Sequence, residues 1–163
     1  MKKILLVSDT HGYDENLYQV LEKEKPINML IHCGDSEGSM QRISWKANCS
    51  CCFVRGNNDY DYQMPYDVNL SIEGYKVLVT HGHRQHISYG LDRLGLHAQL
   101  EGKQIVMFGH THRPMIDRVS GILFLNPGSL TYPRQENRKP SYIVLTISDK
   151  GDINSEIKFL EKN

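Results

Sequence analysis

At 163 residues the chain is long enough for one domain, 1–163, with a substantial core, since chains near this length bury roughly two-thirds of their unfolded surface. Its 19 Lys and Arg balance 19 Asp and Glu, which disfavours a nucleic-acid polymer as partner or an electrostatic membrane anchor but leaves small anionic substrates open. The apolar stretch after Lys2-Lys3 is too short for a signal-peptide core, no run approaches a membrane span, and Cys33, Cys49, Cys51 and Cys52 fit neither a disulfide framework nor a zinc knuckle, so a cytoplasmic chain with reduced, buried cysteines is expected.

Lys2 to Val7 reads as a strand buried on both faces, stopping at Ser8-Asp9-Thr10-His11-Gly12. Asp14 is placed to cap a helix from Glu15 to Lys25, closed by Pro26. Met29 to Cys33 is a second buried strand, ending in Gly34-Asp35. A short helix follows over Met40 to Lys46. Cys49 to Val54 is a third strand, ending in Gly56-Asn57-Asn58-Asp59.

Val68–Ile72 and Lys76–Thr80 flank Glu73-Gly74-Tyr75 as a hairpin whose second arm ends in His81-Gly82-His83. A helix is expected from Ser88 to Leu100, weakened by Gly90 and Gly95. Gln104 to Phe108 is a strand that ends in Gly109-His110-Thr111-His112. If it continues, both imidazoles point to one face. Strands over Gly121–Leu125, Tyr142–Ile147 and Glu156–Leu160 complete the chain. With strands and helices alternating early and strands dominating late, the expected class is an α/β sandwich of two packed sheets with helices outside.

Five apolar runs therefore end in a cluster of Asp, His or Asn beside a glycine. Turn chemistry accounts for Asp, Asn and Gly there, but not for His11, His81, His110 and His112 together. Ligands in layered α/β folds bind outside the carboxyl ends of the strands, so the clusters can converge on one edge. Imidazoles mixed with carboxylates suit manganese, iron, zinc or nickel better than calcium. Seven candidate ligands (Asp9, His11, Asp35, Asn57, His81, His110 and His112) exceed the needs of one tetrahedral ion, whereas two ions ~3.5–4 Å apart would use them all. Such a centre attracts a phosphate ester and lowers the pKa of a shared water.

The order Asp-x-His, Gly-Asp, Gly-Asn-x-Asp, His-Gly-His, Gly-His-x-His resembles the calcineurin-like metallophosphoesterases. The short length and the Asn126-Pro127-Gly128-Ser129 segment resemble the small bacterial and archaeal phosphodiesterase branch of that superfamily, over about residues 1–147. The resemblance implies a four-layer αββα sandwich of two mixed sheets. It also implies two divalent metal ions per subunit, manganese first, with nickel, iron(II) or zinc as alternatives. By motif, Asp9, His11 and His112 would bind one ion, Asn57, His81 and His110 the other, and Asp35 both. The implied reaction is hydrolysis of a small phosphodiester by a metal-activated hydroxide, in a homodimer or homotetramer.

One departure matters. Many members carry His where this chain has Asn58, and an amide cannot act as a general acid. Asn58, the following Asp59 and the spare imidazole His83 are therefore the expected catalytic groups around the metals, with His83 as a replacement acid. His32, His86 and His97 are read as structural. Tyr60, Tyr62 and Tyr66 are candidates to stack on a base or to pack at a subunit contact. Arg134, Arg138 and Lys139 are candidates to touch a distal phosphate. The rival readings are a non-catalytic interaction scaffold, which the superfamily contains as a eukaryotic retromer subunit, and a nuclease.

Overall fold

The computed structural model describes residues 1–161. In chain order the elements are β1 (Lys2–Val7), α1 (Glu15–Glu24), β2 (Met29–His32), α2 (Met40–Ala47), β3 (Ser50–Phe53), β4 (Asp67–Ile72) and β5 (Tyr75–Thr80), then α3 (Asp92–Leu100), β6 (Ile105–Met107), β7 (Pro114–Val119), β8 (Ile122–Pro127), β9 (Ser141–Ile147) and β10 (Ile153–Phe159). One sheet runs β10-β9-β1-β2-β3, and the other β4-β5-β6-β8-β7. Each has a parallel trio, β1-β2-β3 in one and β5-β6-β8 in the other, flanked by antiparallel strands.

The layering follows from the side-chain period of two. In β1, Ile4 and Leu6 join the apolar layer between the sheets, with Ile31, Val77, Val79, Met107 and Leu125. Leu5 and Val7 point the other way, onto Leu17, Val20 and Leu21 of α1 and Ile43 of α2. On the far side, Leu78, Val106 and Phe124 are covered by Leu94 and Ala98 of α3. The parallel strands read as unbroken apolar runs because both of their faces are covered. The result is a four-layer αββα sandwich.

Three local expectations change. The helix expected from Ser88 begins only at Asp92; before it lie two short 3-10 turns, His83–Gln85 and Ile87–Tyr89, ended by Gly90 at φ 124°. β7 escaped the sequence reading because it is a half-exposed edge strand opened by a proline, a position where the missing N–H costs nothing. Finally, β6 stops at Met107, and His110 (φ 71°) and His112 (φ 57°) are in left-handed conformations in the loop beyond it. The same-face argument for these two histidines therefore fails: they leave the strand and diverge.

Candidate metal centre

The carboxyl ends of β1, β2 and β3 and those of β5 and β6 open on the same edge of the sandwich. They deliver Asp9 and His11, Asp35, Asn57, His81, and His110 with His112 to one place. Asp9, His11, Asp35, His110 and His112 all have positive φ. Asp and His are among the residues that tolerate this region, yet each such conformation needs tertiary support. That support is visible at Gly109, where any Cβ would press on the Ser8 hydroxyl and lie 2.8 Å from Asp9 Oδ2. The absence of a side chain there lets the His110 N–H donate to Asp9 Oδ2 at 3.1 Å.

The hydrogen bonds around the imidazoles decide where their lone pairs point. His112 Nδ1 is 2.7 Å from the Tyr132 carbonyl, His81 Nδ1 is 2.6 Å from the Cys33 carbonyl, and His11 Nδ1 is 2.6 Å from Glu37 Oε1. Those oxygens accept, so each ring donates Nδ1–H and its neutral form turns a bare Nε2 inward. There the acceptors crowd. His11 Nε2 and His112 Nε2 are 3.2 Å apart. Asn57 Oδ1 is 3.0 Å from both His81 Nε2 and His110 Nδ1. Asp9 Oδ1 is buried without any hydrogen-bond donor, 3.3 Å from His112 Nε2 and 3.8 Å from His11 and His81 Nε2. Asp35 Oδ2 is 3.4 Å from His81 Nε2 and 3.8 Å from His11 Nε2.

A buried carboxylate oxygen with no donor, ringed by imidazole nitrogens, is costly for a protein alone and suits a cation. Two overlapping groups have ligand spacing: Asp9, His11 and His112, and Asp9, Asp35 and His81. Burial pushes the Asp9 and Asp35 carboxyls up, but His81, together with His112 at Asp9 and Asn58 at Asp35, holds both below the usual carboxylate range. Burial pushes His81 down, yet Asp9 and Asp35 lift it to about 9. The edge is a concentrated acceptor site that draws positive charge.

The three residues expected to be catalytic lie beside this set in different ways. Asn58 donates its backbone N–H to Asp35 Oδ1 at 2.8 Å and its side-chain amide to Asp35 Oδ2 at 2.9 Å. Asp59 is turned away from the acceptors. Its Oδ2 takes the N–H groups of Asp35 (2.8 Å) and Gly56 (2.7 Å), and its Oδ1 that of Glu37 (2.8 Å). The His83 ring is 5.3 Å from His81 and 6.1 Å from His110, and burial together with those neighbours pushes it down to about 4.

Several supporting residues were not picked out by the sequence reading. Ser8 donates to Asp9 Oδ2 at 2.6 Å, and Glu37 orients His11. His32, expected to be structural, bonds the Thr10 hydroxyl through Nε2 at 2.9 Å and accepts the Gly34 N–H on Nδ1 at 3.2 Å, tying the first two loops together. Asn126 donates to the Gly109 carbonyl and Ser129 to the Asp9 carbonyl, so Asn126-Pro127-Gly128-Ser129 braces both sheets' loops. Only that segment carried a signal, through its motif.

A family model for the calcineurin-like phosphoesterase superfamily domain matches residues 1–150. The chain belongs to that superfamily. Among its relatives, a probable metallophosphoesterase of Bacillus subtilis is 33% identical over 147 residues, covering 90% of this chain and 85% of the relative. A protein named a phosphodiesterase in Methanocaldococcus jannaschii is 27% identical over 143 residues, covering 77% of this chain and 82% of that protein. Among solved structures, an uncharacterized phosphoesterase of Streptococcus pneumoniae superposes with a TM-score of 0.79 at 25% identity, covering 98% of both chains. Zinc-complexed Vps29 of Entamoeba histolytica reaches 0.76 at 22% identity over 96% of this chain and 98% of that one, which shows the shared fold. As a calcineurin-like phosphoesterase, the protein has a metal-dependent hydrolase framework, and its acceptor-rich edge is where metal ions fit.

Proposed function

We propose that the protein is a cytoplasmic, single-domain phosphodiesterase whose ligands hold two divalent ions, manganese first. The observation that carries this reading is the pairing of acceptors. His112 faces His11, while His110 and His81 share Asn57 Oδ1, and Asp9 and Asp35 stand between the two groups. Asp9, His11 and His112 would hold one ion, Asn57, His81 and His110 the other, and Asp35 would reach both. When bound, the ions supply Lewis acidity, polarising phosphoryl oxygens and making water nucleophilic near neutral pH.

The protein's own groups set the rest. The amide of Asn58 orients Asp35, and Asp59 holds the loop backbone that carries it, so both are positioning residues. His83, whose buried Nδ1 has no partner and which burial pushes down to about 4, would be neutral at pH 7 and so a poor proton donor to a leaving group. With neither Asn58 nor His83 supplying a proton, esters with acidic leaving groups, such as aryl diesters, are favoured. The phosphodiesterase name of the Methanocaldococcus relative supports a diester substrate.

Metal analysis of dialysed, manganese-reconstituted protein tests this reading. Two equivalents per chain are expected, with manganese-stimulated cleavage of bis(4-nitrophenyl) phosphate. His112→Ala and His110→Ala should each deplete mainly one, different, equivalent. If both changes removed the same equivalent, the two-ion assignment would be wrong. No metal uptake together with no turnover would turn the reading to an interaction scaffold.

A further inference from the structure

We propose that Arg84 and Arg55, stacked on Tyr66 and Tyr62, form a second anion subsite beside the metal centre that takes a phosphate monoester carried by the substrate. The proposal rests on the phosphodiesterase reading and narrows its substrate class.

Both arginines lie on segments that carry the Asn57–His81–His110 side of the centre. Arg55 precedes Gly56-Asn57, and Arg84 lies in the 3-10 turn that begins at His83. The Arg84 guanidinium carbon is 4.4 Å from the Tyr66 ring centre, and that of Arg55 is 5.0 Å from Tyr66 and 4.6 Å from Tyr62. Tyr66 is in turn 5.7 Å from the His83 ring, which neighbours His81 and His110. A continuous row of rings and guanidiniums thus leads outward from the proposed second ion.

The two arginines share one aromatic ring beside the centre, and neither has its charge committed to an ion pair. Among the described residues, Lys3 and Lys158 pair with Glu24, Arg42 with Asp14, Lys25 with Glu22, Lys103 with Glu101 and Lys139 with Glu161. No such pair includes Arg55 or Arg84, although Asp61 and Asp67 flank Tyr62 and Tyr66 in sequence. Arg55 donates only its Nε–H, to the Asp59 carbonyl at 3.2 Å. Stacking occupies the face of a guanidinium and fixes its plane while leaving the in-plane N–H fork free. A guanidinium fork matches the oxygens and the double charge of a phosphate monoester better than it matches a single carboxylate. Part of the ordering cost is also met before a ligand arrives. In the polar loop also expected to reach a distal phosphate, Lys139 pairs with Glu161 and Arg138 bonds the Pro133 carbonyl, while Arg134 donates its backbone N–H to the His112 carbonyl.

The test is calorimetric binding of two slowly hydrolysed, phosphorothioate-linked dinucleotides, identical except for a terminal 5′-phosphate, to the manganese-loaded full chain. The phosphorylated probe should bind at least about tenfold tighter, as a charge-assisted contact implies. Arg84→Ala and Arg55→Ala should each cut that preference severalfold, and Arg84→Lys, which keeps charge but loses the fork, should be intermediate. Arg118→Ala, a loss of equal charge on β7, should keep the full ratio. Circular dichroism establishes that each variant is folded. Equal affinity for the two probes, or a preference that survives both arginine changes, overturns the subsite. Turnover of bis(4-nitrophenyl) phosphate is measured in parallel. A binding preference without turnover sinks the phosphodiesterase reading and keeps the subsite, and turnover without a preference does the reverse.

Discussion

Gly56→Ala isolates the packing that holds the buried carboxylates of the candidate metal centre. Gly56 is buried and has no left-handed conformation to defend, so any penalty comes from contact. An added Cβ would fall on Asp35 Oδ1 and lie 2.5 Å from the Asp35 backbone nitrogen and 2.8 Å from its Cγ. Asp35 cannot retreat freely: Asp59 Oδ2 holds its N–H at 2.8 Å while Asn58 grips both carboxylate oxygens. Making room therefore breaks at least one hydrogen bond to a charged group, worth about 1.5–3 kcal/mol, on top of an overpacking strain of about 1–3 kcal/mol. A loss of about 2.5–6 kcal/mol is expected, which lowers the melting temperature of a domain this size by roughly 5–24 °C. Thermal unfolding of metal-free protein reads the stability, and metal analysis of the reconstituted variant reads the displaced Asp35 as a reduced manganese content. Gly38→Ala is the comparator, since its Cβ meets nothing within 4 Å and only its φ of +85° is strained. A Gly56→Ala protein that melts no lower than this comparator and keeps its full metal content would refute the reasoning.

Two further outcomes follow from the same contacts. Asn58→Ala removes the side-chain bond to Asp35 but spares the backbone one, so manganese affinity should fall roughly 10–100-fold with little change in melting temperature; an unchanged Kd by calorimetry would show that the amide does not orient Asp35. Burial holds His32 at about 4 against an ordinary value of 6.5, and its Nδ1 is occupied by the Gly34 N–H. Between those values the unfolded chain binds a proton that the folded chain refuses, so stability falls with pH from 6.5 to about 4, by up to about 3 kcal/mol. Asp9 and Asp35, held low, lose their contribution only below their ordinary 3.8, so the two windows separate. Urea unfolding of metal-free protein across this range should show the slope, to which His83 and His110, also pushed down, add in the same direction, and His32→Gln should reduce it; a slope unchanged in that variant would assign the whole effect to those other groups.

Much of this protein can be read along the chain. The runs Ile4–Val7, Met29–Ile31 and Ile105–Met107 are apolar at every position because both faces are covered, and polar loop residues follow where each strand ends. Strand ends, loop clusters, the four-layer class and the list of candidate metal ligands therefore follow from local composition and order. The partnering of those residues does not. Gly109-His110-Thr111-His112 reads as a strand end with two parallel imidazoles, yet left-handed turns send His112 to His11 and His110 to Asn57 and His81. That split depends on backbone support from Asp9 and Asn126, more than fifteen residues away at the nearest or on another sheet. Asn58 and Asp59 likewise read as reactive groups in a motif, and only the approach of the Asp35 loop commits their polar atoms to holding it. Arg55 and Arg84 are unremarked letters in sequence; their pairing across Tyr66 exists only because the β3 and β5 ends meet at one edge. Composition and pattern decide which groups must sit at strand ends, because burial penalties act residue by residue. Which of those groups face one another is decided by the packing of two sheets, whose contacts join residues far apart in the chain.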